Sequence, residues 1–201
     1  MNQSLRAFAA VSLLTLGACS QPAPAPLAEG SWTLDGANSD LSFVTVKAGN
    51  IGEAHGFKGL GGAVTPEGAA TLTIDLATVD TDVEIRDERM RDVLFQVGTH
   101  PEAKVTAQID PASIGELAVG QSKAVPVTAT VELHGVSSDI ETTLDVTRAG
   151  PDTVLVTTPR PIILDAAAFG LGEGMEALRN LAQLPAISTA VPVTFSLTYT
   201  R

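Results

Sequence analysis

Beyond residue 30 the chain alternates apolar and polar residues over stretch after stretch. From 193 to 200 the odd positions are Val193, Phe195, Leu197 and Tyr199, and the even ones are Thr194, Ser196, Thr198 and Thr200. Leu72, Ile74 and Leu76 interleave with Thr71, Thr73 and Asp75, and Val105 and Ile109 with Lys104, Thr106 and Gln108. A period of two belongs to an extended strand with one face buried and one wet, the habit of antiparallel sheets.

One hairpin is defined by a change of parity. Val125, Val127, Val131 and Leu133 are apolar at odd positions up to His134-Gly135, after which Val136, Ile140, Leu144 and Val146 are apolar at even ones. A two-residue turn at His134-Gly135 pairs Leu133 with Val136, and cross-strand partners share a face, so the flip follows from geometry. Further strands are expected at 31–35, 40–48, 57–65 and 153–158, giving about eight. That many one-sided strands must close on themselves or stack, as a barrel or a sandwich. Two helical segments interrupt them. Thr81 to Phe95 offers Thr81 or Asp82 as N-cap and an inward stripe of Val83, Met90 and Leu94. Met175 to Leu184 is shorter, with Leu178 and Leu181 facing inward and Pro185 ending it. The class is therefore mainly β, antiparallel, with one or two short helices.

The first thirty residues follow other rules. Arg6 supplies a positive start, and Phe8 to Leu16 an apolar run too short to span a bilayer. Leu16-Gly17-Ala18-Cys19 then resembles the lipobox of bacterial lipoproteins. Residues 1–18 are thus expected to be a signal peptide, and Cys19 to become a diacylated N-terminus that ties the protein to a membrane. Ser20 in place of Asp favours the outer membrane, on its periplasmic side. Gln21-Pro22-Ala23-Pro24-Ala25-Pro26 forbids helix and favours polyproline II. Residues 19–30 read as a tether reaching up to roughly 30 Å, and 31–201 as one β domain.

Composition narrows the function. The formal charge of -11 argues against nucleic acid and anionic headgroups as docking partners. The single cysteine makes no internal disulfide, and once acylated it is no nucleophile. There is no G-x-S-x-G elbow and no H-E-x-x-H helix. His55, His100 and His134 each stand beside Gly or Pro and read as turn residues rather than metal ligands. Asp80-Thr81-Asp82-Val83-Glu84 starts like a calcium loop, but Ile85 replaces the turn glycine and Arg91 the bidentate glutamate. Gly170-Leu171-Gly172-Glu173-Gly174 departs from dinucleotide spacing, and Glu173 repels phosphate, so it reads as a strand-to-helix turn. No enzyme is expected and no cofactor is required. An enzymatic reading would need turnover that depends on His100 or His134.

Several short motifs in order carry a resemblance. They are Trp32-Thr33-Leu34-Asp35 with Asn38-Ser39-Asp40-Leu41-Ser42-Phe43; Gly56-Phe57 with Leu60-Gly61-Gly62; and Thr81 with Ile85-Arg86-Asp87-Glu88-Arg89-Met90. His100-Pro101-Glu102-Ala103, Val131-Glu132-Leu133-His134-Gly135-Val136 and Phe169-Gly170-Leu171 complete the set. Ser31 to Arg201 thereby resembles the YceI-like family of exported bacterial proteins. The resemblance implies a lipocalin-like antiparallel barrel closed around an isoprenoid, either a polyprenyl lipid or an isoprenoid quinone. Three places depart from the family: Asn38-Ser39 where His-Ser is usual, Lys47-Ala48-Gly49 where a histidine follows the second strand, and Phe95-Gln96 where an aromatic pair closes the helix.

A closed sheet of about eight strands is either filled by its own side chains or holds one small ligand. With 4% aromatics and inward positions of Val, Leu, Ile and Ala, the residues alone favour self-packing, which suits a structural or protein-interaction lipoprotein. The resemblance implies an open channel. The ligand-lining residues expected on that basis are Phe43, Phe57, Leu72, Ile74, Met90, Leu94, Val131, Leu133, Leu144, Phe169, Leu178, Phe195 and Leu197. Expected partners are the isoprenoid and, through the anchor, the membrane; a homodimer stays open.

Overall fold

The computed structural model describes residues 26, 27 and 30–201. Cys19, the signal segment and most of the tether lie outside them. One sheet contains every strand among the described residues: β1 (Trp32–Leu34), β2 (Asp40–Lys47), β3 (Ile51–Phe57), β4 (Leu60–Val64), β5 (Ala69–Asp75), β6 (Val79–Asp80), β7 (Glu102–Gln108), β8 (Ser122–Leu133), β9 (Val136–Gly150), β10 (Thr153–Thr157), β11 (Ile162–Asp165) and β12 (Ala190–Thr200).

Four pairs of consecutive segments are single bent staves. β1 and β2 both lie along one edge of β12, and β10 and β11 along the other. β3 and β4 pair with β2 and β1, and β5 and β6 with β4 and β3. The twelve segments thus form an eight-stave antiparallel barrel in simple up-and-down order, closed between β1/β2 and β12. Closure removes the exposed sheet edge, which is what one-sided strands require. The bends are capped by side chains. Asp35 accepts from the Asn38 N–H where β1 turns into β2 (3.3 Å), and Asp75 from the Ala77 N–H between β5 and β6 (3.0 Å).

The β8–β9 hairpin has the expected register, Leu133 opposite Val136. His134 and Gly135 both take positive φ, 53° and 77°, the turn whose twist matches the strands it joins. Two helices cover the top of the barrel. The first is α1 (Glu84–Arg89) continuing into a π turn over Met90–Phe95. It starts later than the sequence predicted. Its N-cap is Val83, and Thr81 instead donates its N–H and hydroxyl to the buried Asp87 carboxylate (2.9 and 2.5 Å). Val83, expected inward, is 43% exposed, whereas Met90 and Leu94 are buried. A π turn places residues five apart on one face, so Met90 and Phe95 both turn inward beside Leu94.

A single turn, α2 (Pro111–Ile114), was not foreseen; Asp110 caps it and Pro111 opens it. The third helix, α3 (Gly172–Leu181), is shifted three residues toward the N-terminus of the predicted 175–184. Leu181 is 51% exposed, against the expectation that it faces inward. Steps of three residues drift backward by about 60° on an α-helix, so with Met175 buried and Leu178 half-buried, Leu181 has rotated out. Gly174 explains how α3 lies so close to the π turn: a Cβ there would stand 2.9 Å from the Val93 carbonyl oxygen.

The barrel's bottom is shut. Trp32 donates from Nε1 to the Leu27 carbonyl at 2.9 Å, and the Arg201 guanidinium lies 4.6 Å from the Trp32 ring while bonding the Pro26 carbonyl. Leu27, assigned to the tether from sequence, is 3% exposed and belongs to the core, so the folded body begins before Ser31. Arg148 closes the same end from within, donating to the carbonyls of Leu117, Gly150 and Pro151.

Candidate functional site

Inward-facing rows from every stave leave a cavity of about 550 Å³, within the range of small-molecule sites. Its origin is visible in one cross-strand row. Ala70 on β5 pairs with Ala107 on β7, and Ala107 with Ala129 on β8. All three line the cavity, and none is fully buried although all point inward. Three methyl groups in a row cannot reach the opposite wall. The barrel is hollow, not side-chain filled.

All thirteen residues expected from sequence line this cavity. Phe43, Leu72, Ile74, Met90, Leu94, Phe169 and Leu197 are buried in its wall. Phe57, Leu133, Leu144, Leu178 and Phe195 are partly buried, as is Val131. Phe43, Phe57 and Phe95 form an aromatic run, with centroids 5.3 and 5.9 Å apart. Trp32, Leu41 and Tyr199 lie at the deep end. Burial pushes the Tyr199 phenol up to about 12, so this side chain stays neutral at the deep end.

The upper end is polar, and sequence reasoning missed it. Along the β2–β3 hairpin the inward pairs change from Phe43 opposite His55 to Thr45 opposite Glu53, with Lys47 near the tip. Thr45 Oγ1 lies 2.9 Å from His55 Nε2, while His55 Nδ1 is buried without a partner. His55 is 6% exposed and sits in a strand, not in the turn expected from sequence. Burial first, and the Arg86 charge second, hold its pKa below the usual imidazole value. Glu53 Oε2 accepts from Lys47 Nζ at 2.7 Å and Arg86 Nη1 at 2.9 Å. The Lys47 bond chiefly holds the Glu53 carboxyl below the usual carboxylate range. Arg86 also donates from Nε to Thr81 Oγ1 at 2.8 Å and from Nη2 to the Thr81 carbonyl at 2.6 Å. Arg89, one turn along α1, lines the cavity too.

The mouth opens beside this cluster. Val83 and Ile85 line the cavity and are exposed. Ile187 lines it as well, on a segment joined to the top of β2 through Ala48 N–H to the Ala186 carbonyl and Ser188 N–H to the Val46 carbonyl. The polar residues had a readable signal. Extending the parity of Leu41 and Phe43 through Thr45 to Lys47, and of Phe57 back through His55 to Glu53, points all of them inward.

The other candidates fall elsewhere. The His100 and His134 rings meet at 4.3 Å, yet neither lines the cavity. Burial, and then the neighbouring imidazole, lower the His134 pKa. Among the described residues no three His, Cys, Asp or Glu side chains are grouped to hold a metal ion. Asp80 of the would-be calcium loop is paired with Lys58 at 2.7 Å. The glycines at 170–174 form the turn and the close contact into α3, as a strand-to-helix connection should.

The model of one protein family, described as a YceI-like domain, matches residues 32–199. No curated protein compared with the chain matches it. Among solved structures, a polyisoprenoid binding domain from Saccharophagus degradans, implicated in plant cell wall breakdown, is 43% identical. It aligns with a TM-score of 0.82 over 84% of this chain and 97% of its own. BcnA from Burkholderia cenocepacia shares the fold at 19% identity and a TM-score of 0.60, over 82% of this chain and 98% of its own.

Proposed function

The chain belongs to the YceI-like family, and from that premise we propose that it is a non-catalytic carrier of an amphiphilic isoprenoid, a polyprenyl lipid or an isoprenoid quinone. The observation that carries this reading is the polarity of the cavity: a closed apolar well from Trp32 and Tyr199 upward, ending in Thr45, Lys47, Glu53, His55 and Arg86 beside the mouth. Such a well takes a hydrocarbon chain tail-first and keeps its polar head at the top. The likeness to a polyisoprenoid binding domain at 43% identity supports it.

Each five-carbon unit removed from water stabilises the complex by about 4 kcal/mol, at about 0.8 kcal/mol per CH₂. The ligand's alternative is a bilayer rather than water, and transfer from lipid to apolar pocket is close to neutral. A carrier of this kind therefore works best next to a membrane. The expected lipidation at Cys19, the Pro/Ala tether and residence on the periplasmic side of the outer membrane belong to the same proposal, with the ligand sequestered or shuttled there. No catalytic step and no cofactor enters it. Phe43, Phe57, Leu72, Ile74, Leu144, Phe195 and the other lining residues are the ligand contacts in this reading.

Native mass spectrometry and organic extraction of protein purified from its own membrane fraction test it. One prenyl lipid per chain is expected. Preparations that are repeatedly empty, and that take up no added prenyl lipid from vesicles, overturn it.

A further inference from the structure

We infer that the polar end of the cavity is built for an anionic, oxygen-rich headgroup, a phosphate ester of the prenyl chain, with Arg89 as its uncommitted cation. The inference rests on the carrier reading and goes one step further, to the chemistry of the head. Four charged side chains line the cavity: Lys47, Arg86 and Arg89 against Glu53. That is a local surplus of two positive charges, and it departs from the expectation, drawn from the net charge of -11, that anionic headgroups are unsuited to this chain. Counting Asp87, which lies behind them in its bonds to Thr81, one positive charge still remains. The cluster is also donor-rich. One oxygen of Glu53 takes both Lys47 and Arg86. Arg86 spends three N–H groups on Glu53 and Thr81, leaving two of its five. Arg89 is half-buried and has neither a carboxylate nor a hydrogen-bond partner among the described residues. His55 lines the same wall, with its Nδ1 buried and unpaired behind the cavity surface. Beyond Glu53, no side chain among the described residues lining this end of the cavity offers a negatively charged acceptor. A phosphate supplies one, with oxygens enough for Arg89 and the spare Arg86 protons. A quinone carbonyl would satisfy one donor and leave the charge unbalanced.

The test uses the full chain, delipidated, with three probes that share one four-unit tail: geranylgeranyl monophosphate, geranylgeraniol and a benzoquinone bearing the same chain. Inorganic phosphate alone is the fourth. The monophosphate is expected to bind at least about tenfold tighter than the alcohol, the effect of one charged hydrogen bond. Arg89→Gln should cut that phosphate-to-alcohol ratio about tenfold, and Arg89→Lys should keep most of it. Because Arg89 has no partner to orphan, both variants are expected to fold with unchanged urea midpoints. Inorganic phosphate should compete weakly, and only with the monophosphate. A quinone or alcohol that binds as well as the monophosphate, a ratio untouched in Arg89→Gln, or inorganic phosphate binding as tightly as the lipid each overturns the headgroup assignment while leaving the carrier intact. If none of the three tailed probes binds, the carrier reading itself fails.

Discussion

Ala129→Phe separates a hollow barrel from a packed one by the sign of its effect. In a close-packed core, forcing in a larger side chain costs about 1–3 kcal/mol. Ala129 instead sits in the row Ala70–Ala107–Ala129, facing about 550 Å³ of open space. There a benzyl ring leaves water without displacing protein. Burying a phenylalanine side chain is worth about 1.5–3 kcal/mol, and fixing its rotamer returns roughly 0.5–1 kcal/mol. The net expectation is a lipid-free protein about 1–2 kcal/mol more stable, which for a domain of this size raises Tm by about 2–4 °C per kcal/mol. Urea titration and calorimetry of delipidated protein measure this, and native mass spectrometry should show less lipid on the variant than on the parent. Ala107→Phe should behave alike, and the double variant should gain less than the sum because the two rings are neighbours. Loss of 1 kcal/mol or more in both single variants, at an unchanged urea m-value, would refute the reasoning.

Other expectations are as direct. His55 and His134 both titrate below the ordinary imidazole value of 6.5 in the folded chain, so the unfolded chain binds more protons there. Stability should be full above about pH 7 and fall as the pH drops through 6.5 toward 5, and the combined His55→Gln and His134→Gln change should flatten that slope in urea midpoints. Arg148→Met should cost about 3 kcal/mol in urea unfolding, since three carbonyls at the closed end lose their donor. Gly174→Ala should cost about 1–3 kcal/mol, because the new methyl meets the Val93 carbonyl, which is backbone and cannot swing away. Leu27→Ala should cost about 2–4 kcal/mol despite lying in a segment that reads as tether.

The walls of the barrel were legible because parity is a local property: each stave declares its inner face in its own residues. The hairpin at His134-Gly135 and all thirteen lining residues follow from that rule together with the family resemblance. What failed depended on distant partners. Thr81 looked like an N-cap, and only the fold shows Asp87 taking both its donors. Leu27 looked like tether, because nothing nearby in sequence announces that Trp32 will bond its carbonyl. His55 looked like a turn residue because Gly56 follows it, although its parity with Phe57 already pointed it inward. The charged network was invisible for another reason. Lys47, Glu53 and Arg86 come from three separate segments, and alternation ranks charged residues as outward by default.

That default reverses where a cavity is filled by something other than protein. A charged side chain facing an empty apolar well must be neutralised locally or lose solvation, and the upper cluster does so through Glu53, which binds two cations with one oxygen. Glu53 therefore sets how much positive charge the mouth offers. It cancels one cation and orients a second, leaving a small surplus where a lipid head would rest. The depth of the well contributes little to choosing among prenyl lipids, since every tail gains about the same from each CH₂. Discrimination must come from the few groups at the top. Exchange follows the same division: the tail moves between two oily phases at little cost, and the head must break its bonds at the mouth. In the carrier reading proposed above, residence time would be set by the contacts of the head with Arg86 and Arg89, and capacity by the alanine row beneath them.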